Sequence, residues 1–310
     1  MLSVYPQSTL SRPNPFHPDD EDAYRYWRDR KLQDYPTDIG DLVVELNDPR
    51  RLKPQEFDAL LARCRKTNMT LYASRTGTDP DPEIPLSLAR HFGLTGLDRN
   101  WLADDTGLTS LTVRQNGVRR NYIPYTNRAI QWHTDGYYNP ANRQIQALLL
   151  HVVQRAAQGG ENALLDHEIA YILLREQNPD YIRALMAPDV LTIPARIEAG
   201  HVARPEETGP VFRITPEGNL HIRYTIRVNN VIWTDDPLAR QALDALQAIL
   251  QNDSPWIFRG LLELGMGLVS NNVLHDRAAF TDDAQHKRHY YRGRYTTRLA
   301  GTGLQETLAR

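Results

Sequence analysis

The chain has 310 residues, of which 41% are apolar and 24% are charged, and its formal net charge is −2. This length and composition predict a globular protein with a substantial buried core. A charge so close to zero gives no reason to expect a nucleic-acid partner or binding to an anionic membrane surface.

The single cysteine, Cys64, excludes an intramolecular disulfide and suits a reducing compartment. It lies in an apolar helical pattern, which predicts a core residue. The first 15 residues contain no basic segment followed by an apolar one, and the longest apolar run, 147–153, is far shorter than the ~20 residues of a membrane span. We therefore expect a cytoplasmic protein without a signal peptide or membrane segment.

The N-terminal part of the chain divides into an arm and the start of a domain. Residues 1–38 are rich in proline and charge, which predicts an extended arm with a short helix at 24–31. Residues 39–310 are expected to form one domain. Its first elements are predicted to alternate between strand and helix, at 41–46, 54–66, 70–74 and 84–92, with Gly93 ending the last helix.

From about Leu108 the pattern changes to short β-type runs between Pro, Gly and Asn turns. Strands are predicted at 108–113, 145–153, 190–194, 211–214, 220–226, 256–262, 266–271 and 289–295. Helices are predicted at 167–177 after the cap Asp166, from Asn178–Pro179, and from Asp236–Pro237. Many short strands with inserted helices are typical of a barrel or sandwich with helical decoration.

The motif that carries chemistry is His133-Thr134-Asp135. Residues two apart on a strand face the same side, so an imidazole and a carboxylate could bind one metal ion. His275, after a later β-type run, supplies a third ligand. Two histidines and one carboxylate leave three open positions, as in non-haem Fe(II) oxygenases. By itself the triplet is weak evidence, because a surface histidine beside a turn aspartate would look the same.

Two further features give the triplet a context. Arg288 lies 13 residues after His275, where its planar fork could hold the distal carboxylate of a 2-oxo acid bound to iron. Arg292 would share the same strand face. Gly159–Gly160 permits a tight turn or a close approach of the backbone to a ligand. The alternative interpretation is two surface arginines and an ordinary turn.

Together these segments resemble the taurine dioxygenase (TauD/TfdA) family of clavaminate-synthase-like Fe(II)/2-oxoglutarate oxygenases. The resemblance covers roughly residues 40 to 300 and rests on four motifs in the family's order: Gln131–Asp135, Gly159–Asn162, Asn272–Phe280 and Arg288–Arg292. It implies an α+β, mainly β fold, with a double-stranded β-helix (jelly roll) core and helical insertions.

The resemblance also implies roles for individual residues. His133, Asp135 and His275 would bind Fe(II), and Arg288 would bind the C5 carboxylate of 2-oxoglutarate. Asn162 stands where the family usually has a threonine that contacts this co-substrate, and an amide can also donate a hydrogen bond. Arg292 matches a position that approaches substrate or co-substrate in some members.

The implied reaction is hydroxylation of an unactivated C–H bond of a small molecule, with consumption of O2 and release of succinate and CO2. Tyr137 and Tyr138 follow the ligand strand and could line the substrate pocket. Arg223 and Arg227 would share one strand face, which favours an anionic or zwitterionic substrate, although ordinary sheet-surface residues would look the same. The presence of Asp135 leaves no position for chloride and disfavours a halogenase. A homo-oligomer is left open.

Two alternatives remain at this point. A JmjC-type protein hydroxylase also uses an H-x-D…H triad, but it typically anchors 2-oxoglutarate with a lysine upstream of the distal histidine. The placement of Arg288 argues against it. A non-catalytic, cupin-like protein would bind metal or ligand in a similar barrel without producing succinate.

Overall fold

The structure, a computed structural model, describes residues 13–98, 105–117, 120, 122–198, 200–226 and 231–309. The helices are α1 Glu21–Leu32, α2 Pro54–Thr67, α3 Glu83–His91, α4 His167–Gln177, α5 Pro179–Leu185, α6 Pro237–Gln251 and α7 Leu304–Leu308. The first ten strands are β1 Val43–Leu46, β2 Met69–Ser74, β3 Thr109–Leu111, β4 Ile130–His133, β5 Ala147–Gln154, β6 Gln158–Gly159, β7 Asn162–Leu165, β8 Leu191–Ile193, β9 Arg196–Glu198 and β10 His201–Arg204. The others are β11 Glu207–Gly209, β12 Phe212–Ile214, β13 Leu220–Ile222, β14 Ile232–Trp233, β15 Phe258–Gly260, β16 Met266–Ser270, β17 Leu274–Arg277, β18 Phe280–Thr281 and β19 His289–Tyr295.

The largest sheet has six strands in the order β1-β2-β16-β5-β19-β3. Only β1 and β2 run parallel; the other neighbours are antiparallel. The central strand β5 is buried on both faces, because Leu148 and Leu150 belong to the larger core while Leu149 belongs to a smaller core with Leu60 and Cys64 of α2. This double burial explains its continuous apolar sequence.

A second, four-stranded antiparallel sheet has the order β15-β7-β17-β4. Leu164 and Leu274 of this sheet belong to the same apolar cluster as Leu148 and Leu150 of the large sheet. The two sheets therefore share one core. Helices α4 and α6 add their apolar faces to it, for example through Ile169 and Leu246. The result is a mixed fold in which most strand pairs are antiparallel.

The predicted arm packs on this core as far as it is described. Phe16, Tyr24 and Trp27 are buried in the larger apolar cluster. Asp20 caps α1 by accepting a hydrogen bond from the backbone N–H of Ala23 at 3.2 Å. Residues 1–12 lie outside the described part of the chain. From Phe16 onward, the segment is part of the same packed unit as the sheets.

Several predicted elements have different limits in the structure. The strand predicted at 220–226 ends at Ile222, after which Thr225 forms an isolated bridge to His133. The predicted strand at 108–113 covers only Thr109–Leu111. The short hairpin β9–β10 was not predicted, because its exposed, mostly polar sequence has no apolar alternation. Within the described residues, no helix is long and apolar enough to cross a membrane.

Candidate metal centre and co-substrate site

The pairing of β4 with β17 places two histidines side by side. His133 is the register partner of His275, and their ring centroids are 4.3 Å apart. The Nδ1 of His133 lies 2.9 Å from the carbonyl oxygen of Gln131, and the Nδ1 of His275 lies 3.0 Å from that of Val273. A carbonyl only accepts, so each Nδ1 carries the proton. In the neutral ring the lone pair is then on Nε2, as metal binding requires.

Asp135 is held in place through its backbone. The side-chain amide of Asn272 accepts from the Asp135 N–H at 2.9 Å and donates to the Asp135 carbonyl at 3.0 Å. Asn272 itself has a φ of 53°, a left-handed conformation that asparagine tolerates better than most residues. Asn272, two residues before the strand that carries His275, therefore fixes the backbone of Asp135. Its role was missed in the sequence, although it belongs to the distal motif.

The Asp135 carboxylate is 5% exposed. Its Oδ1 accepts from Arg292 Nη1 at 3.2 Å, while the buried Oδ2 has no hydrogen-bond partner among the described residues. Burial alone would raise the pKa of Asp135, but the charges of Arg292 and Arg294 outweigh it and lower the pKa to about 2. The carboxylate is thus ionised at neutral pH.

The donor set fits an Fe(II) ion. Two imidazoles with Nε2 lone pairs and one ionised carboxylate with an unpartnered buried oxygen are the ligands of a facial triad. In the described part of the chain, no three His, Cys, Asp or Glu side chains are already grouped closely enough to hold an ion. Asp135 instead points one oxygen at Arg292. A closed triad requires Asp135 to turn from this arginine towards the imidazoles.

Arg288 is a buried cation at the start of β19. It is 4% exposed, and its guanidinium forms no salt bridge with any described carboxylate. The guanidinium lies over the ring of Tyr290, 3.6 Å from the centroid. The backbone N–H of Arg288 donates to Asp282 Oδ1 at 2.9 Å. Burial lowers the pKa of Arg288. A buried guanidinium without a carboxylate is a receptor for an anionic ligand.

The glycine pair lies next to this arginine. Gly159 and Gly160 have φ values of 73° and 87°, which favour glycine. A Cβ on Gly159 would be 2.4 Å from the carbonyl oxygen of Ala279, and one on Gly160 would be 4.0 Å from Arg288 Nε. Gly159 therefore allows β6 to approach β18 closely, and Gly160 lies beside Arg288.

Arg277, which lies near Arg288 and Arg292, was not predicted as a site residue. Arg277 is 4% exposed and donates to the backbone carbonyls of Thr126 at 3.0 Å and Arg128 at 2.5 Å. Burial, together with the charges of Arg288 and Arg292, lowers its pKa to about 9. Three guanidinium groups thus lie near the carboxylates of Asp135 and Asp282. The region carries a local positive charge that the net charge of the chain conceals.

The remaining predicted site residues differ in their surroundings. Asn162 Nδ2 donates to the carbonyl of Asp276 at 2.8 Å, so one of its two amide hydrogens holds the strand that carries His275. Its Oδ1 is buried without a described partner. Tyr137 and Tyr138 form an edge-to-face pair with centroids 5.2 Å apart, directly after Asp135. These tyrosines therefore border the triad.

Arg223, predicted as a substrate residue, donates its hydrogen bonds to backbone carbonyls. Its Nη2 donates to the carbonyl oxygens of Leu191 at 2.8 Å and Glu207 at 3.1 Å, which links β8 to β11. Burial lowers its pKa to about 10. Its charge thus supports the three-stranded sheet β11-β8-β14. Arg227, its predicted companion, lies outside the described residues.

Comparison with known proteins agrees with this chemistry. The family model described as "Taurine catabolism dioxygenase TauD, TfdA family" matches residues 31–294. The chain is also 28% identical over 272 residues to the uridine-5'-phosphate dioxygenase of Amycolatopsis sp., an alignment that covers 82% of this chain and 96% of that protein.

Solved structures share the fold. An asparagine oxygenase in complex with Fe(II), 3-hydroxyasparagine and succinate has a TM-score of 0.57 at 14% identity, over 86% of this chain and 96% of that chain. The protein AAD-2, in complex with Mn(II) and N-oxalylglycine, also has a TM-score of 0.57, at 15% identity, over 84% of this chain and 96% of that chain.

Proposed function

Because the chain belongs to the TauD/TfdA family and is an Fe(II)- and 2-oxoglutarate-dependent dioxygenase, we propose that His133, Asp135 and His275 hold its iron. The observation that carries this proposal is the register of β4 and β17, which pairs His133 with His275. Both rings have Nδ1 on a backbone carbonyl and so direct a lone pair from Nε2. Asp135 contributes a buried carboxylate oxygen without a hydrogen-bond partner among the described residues.

Arg288 is proposed to bind the C5 carboxylate of 2-oxoglutarate. Its burial and the absence of a salt bridge to any described carboxylate support this role. The fork of a guanidinium binds a carboxylate through two parallel hydrogen bonds. Asn162 is proposed as a positioning residue, because its amide already donates to the strand that carries His275. We propose that Asp135 leaves Arg292 when it turns to bind iron. Arg292 would then pair with an anionic ligand instead.

The finer description of the fold is also a proposal. We infer that the six-stranded and four-stranded sheets, which share one apolar core, form a double-stranded β-helix with the iron site between them. The predicted cytoplasmic location and a homo-oligomer stay predictions.

The residues of this chain then position the reaction. Bound Fe(II) with 2-oxoglutarate and O2 supplies the oxidant for a C–H bond, and succinate and CO2 are released. Arg288 fixes one end of the co-substrate, and Asn272 fixes the backbone of Asp135. Buried leucines adjoin the site: Leu164 is the register partner of His275 and Leu150 that of Arg292.

The substrate is proposed to be a small anion that carries a phosphate. The local excess of arginines favours an anion, and a relative that aligns over 82% of the chain is a uridine-5'-phosphate dioxygenase. The JmjC-type alternative is not supported, because the family match is to TauD and the buried cation near the site is an arginine. The non-catalytic alternative conflicts with the dioxygenase relatives.

Anaerobic titration of the Fe(II)-loaded protein with 2-oxoglutarate tests the proposed site. The wild type should develop the weak visible charge-transfer band of an iron-bound 2-oxo acid. His275→Ala should not develop it, whereas His286→Ala, which replaces an exposed histidine, should. A wild type that shows no band, or a His275→Ala variant that keeps it, would contradict the assignment.

A further inference from the structure

A second group of charged side chains borders the iron site on the side of Tyr138. We name it the tyrosine–arginine cluster; it consists of Tyr138, Arg204, Arg294, Asp98 and Arg143. We propose that it binds the phosphate group of a phosphate-monoester substrate, with Arg204 as the residue that contacts the phosphate. This inference rests on the proposed function of the neighbouring iron site.

The cluster is continuous with the iron site through strand β19. Arg292, which bonds to Asp135, and Arg294 are two residues apart and so face the same side of the strand. Arg294 Nη1 donates to the hydroxyl of Tyr138 at 2.7 Å. Tyr138 in turn lies three residues after Asp135. Two neighbouring arginines of β19 thus connect Tyr138 with the proposed metal ligand Asp135.

Arg204 reaches the same tyrosine from the β9–β10 hairpin. Its guanidinium carbon is 5.6 Å from the centroid of the Tyr138 ring. Nη2 donates to the carbonyl of Pro194 at 2.7 Å, and Nη1 donates to that of Pro205 at 3.2 Å. These two carbonyls flank the hairpin and fix the orientation of the guanidinium. Since a guanidinium has five N–H donors, three remain for a ligand.

Among the described residues, no carboxylate lies within salt-bridge distance of Arg204. It differs in this from Arg196 of the same hairpin, which pairs with Glu198. Burial lowers the pKa of Arg204, and the charge of Glu207 opposes this only from beyond salt-bridge distance. A half-buried cation without an anion in direct contact loses hydration and recovers this free energy when an anion binds.

The cluster has more positive than negative charge, as binding of a phosphate monoester requires. Asp98 is buried and accepts from Arg294 Nη2 at 2.5 Å and from Arg143 Nη2 at 3.1 Å. One carboxylate thus pairs with two arginines, and Arg204 adds a third positive charge that Glu207 offsets only from beyond salt-bridge distance. This excess complements the charge of about −2 that a phosphate monoester carries at neutral pH.

Calorimetric binding with UMP and uridine tests the proposal. Both ligands are titrated into protein loaded with Mn(II) and N-oxalylglycine, which prevents turnover. The wild type should bind UMP more tightly than uridine. Arg204→Ala should weaken UMP binding by about 10- to 100-fold, the loss expected for charged hydrogen bonds, and leave uridine binding unchanged. Arg204→Lys, which keeps the charge without the fork, should give an intermediate loss for UMP.

Arg213→Ala is the matched control, because Arg213 is another partly buried arginine that forms no salt bridge with a described carboxylate. It should bind UMP like the wild type. Arg204→Ala should also develop the same Fe(II)–2-oxoglutarate band as the wild type. If the wild type itself showed no band, the proposed iron site would be refuted rather than the phosphate subsite. Equal wild-type affinity for UMP and uridine, no binding of either ligand, or an equal loss of both in Arg204→Ala would overturn the phosphate subsite.

Discussion

Two of the buried groups of charged side chains in the described part of the chain differ in charge balance. In the α1–α4 cluster (Lys31, Asp166, Glu168 and Arg298), Lys31 Nζ lies 2.7 Å from Asp166 Oδ2 and 2.6 Å from Glu168 Oε2. Arg298 is connected to this pair of carboxylates through Asn68. Arg298 donates to Asn68 Oδ1 at 2.6 Å, and Asn68 Nδ2 donates to Asp166 Oδ1 at 3.0 Å. Two positive and two negative groups are thus connected.

The iron site has the opposite property. The guanidinium groups of Arg277, Arg288 and Arg292 outnumber the nearby described carboxylates of Asp135 and Asp282, and of the three only Arg292 forms a salt bridge, with Asp135. Buried charges are costly unless they are paired. Removing one member of a balanced buried cluster therefore leaves a costly unpaired charge, whereas an excess of buried positive charge favours binding of an anion. Charge balance thus separates the α1–α4 cluster from the proposed iron site.

The largest effect is expected at the unbalanced site, for Asp135→Ala. Loss of one of three metal ligands should reduce succinate formation by at least about 1,000-fold, because the remaining two histidines hold iron weakly. Iron content after gel filtration and succinate release are measured together. Asp98→Ala, in the neighbouring tyrosine–arginine cluster, is the comparison variant and should keep its iron. Turnover at the wild-type rate in Asp135→Ala would show that the ligand assignment is wrong.

Lys31→Met should destabilise the fold and leave iron binding unchanged. It leaves Asp166 and Glu168 buried without their cation and should lower the free energy of unfolding by about 3–5 kcal/mol. Urea denaturation measures this, with Arg25→Met as the control because Arg25 forms an exposed pair with Glu21. If both variants had the same stability, the α1–α4 cluster would have no stabilising role.

Arg288→Ala should act on co-substrate binding. Removing a bidentate charged contact should raise the KM for 2-oxoglutarate by about 10- to 100-fold, with a smaller effect on kcat. Initial rates at varied 2-oxoglutarate measure the change, and Arg259→Ala, an exposed arginine of β15, should leave it unaltered. An unchanged KM would move the anchor to another arginine, with Arg292 as the next candidate.

The smallest effect is expected from pH, at His167 beside the α1–α4 cluster. Burial lowers the pKa of His167 to about 3, so the folded protein holds this ring neutral while the unfolded chain protonates it below about 6.5. The unfolded state then binds more protons, and stability falls as pH decreases from 6.5, by at most about 1.4 kcal/mol per pH unit for this residue.

His167→Gln should therefore lose stability less steeply than the wild type between pH 6.5 and 4.5. His151 and His221 also have lowered pKa values, to about 4 and about 3, because they are buried, so part of the slope should remain. Thermal unfolding at several pH values measures the slopes, and His286→Gln, at an exposed position, should match the wild type. Parallel curves for wild type and His167→Gln would contradict the neutral state of His167.

The sequence was sufficient for elements with a strong local signal. Helix α4 has the predicted bounds and the predicted cap, Asp166, which accepts from Glu168 N–H. Strand β19 also has the predicted bounds. Cys64 is a buried core residue, as its helical pattern predicted. Apolar periodicity and cap residues determine such elements through neighbours in the chain.

The parts that were missed depend on contacts between distant segments. The clamp between Asn272 and Asp135 spans 137 residues, and the bond between Arg294 and Asp98 spans 196. Nothing local distinguishes Arg223, which bonds to sheet carbonyls, from Arg204, which has an unneutralised charge beside Tyr138. The sequence predicts the triad because its motifs are ordered along the chain, but it could not show which arginines are already paired.

The most direct test of the proposed iron site is a crystal structure of the protein with Mn(II) and N-oxalylglycine. We predict one metal ion bound by Nε2 of His133, Nε2 of His275 and a carboxylate oxygen of Asp135, with the distal carboxylate of N-oxalylglycine on Arg288. A metal ion bound by other side chains, or an Asp135 carboxylate that stays on Arg292 away from the metal, would contradict the account.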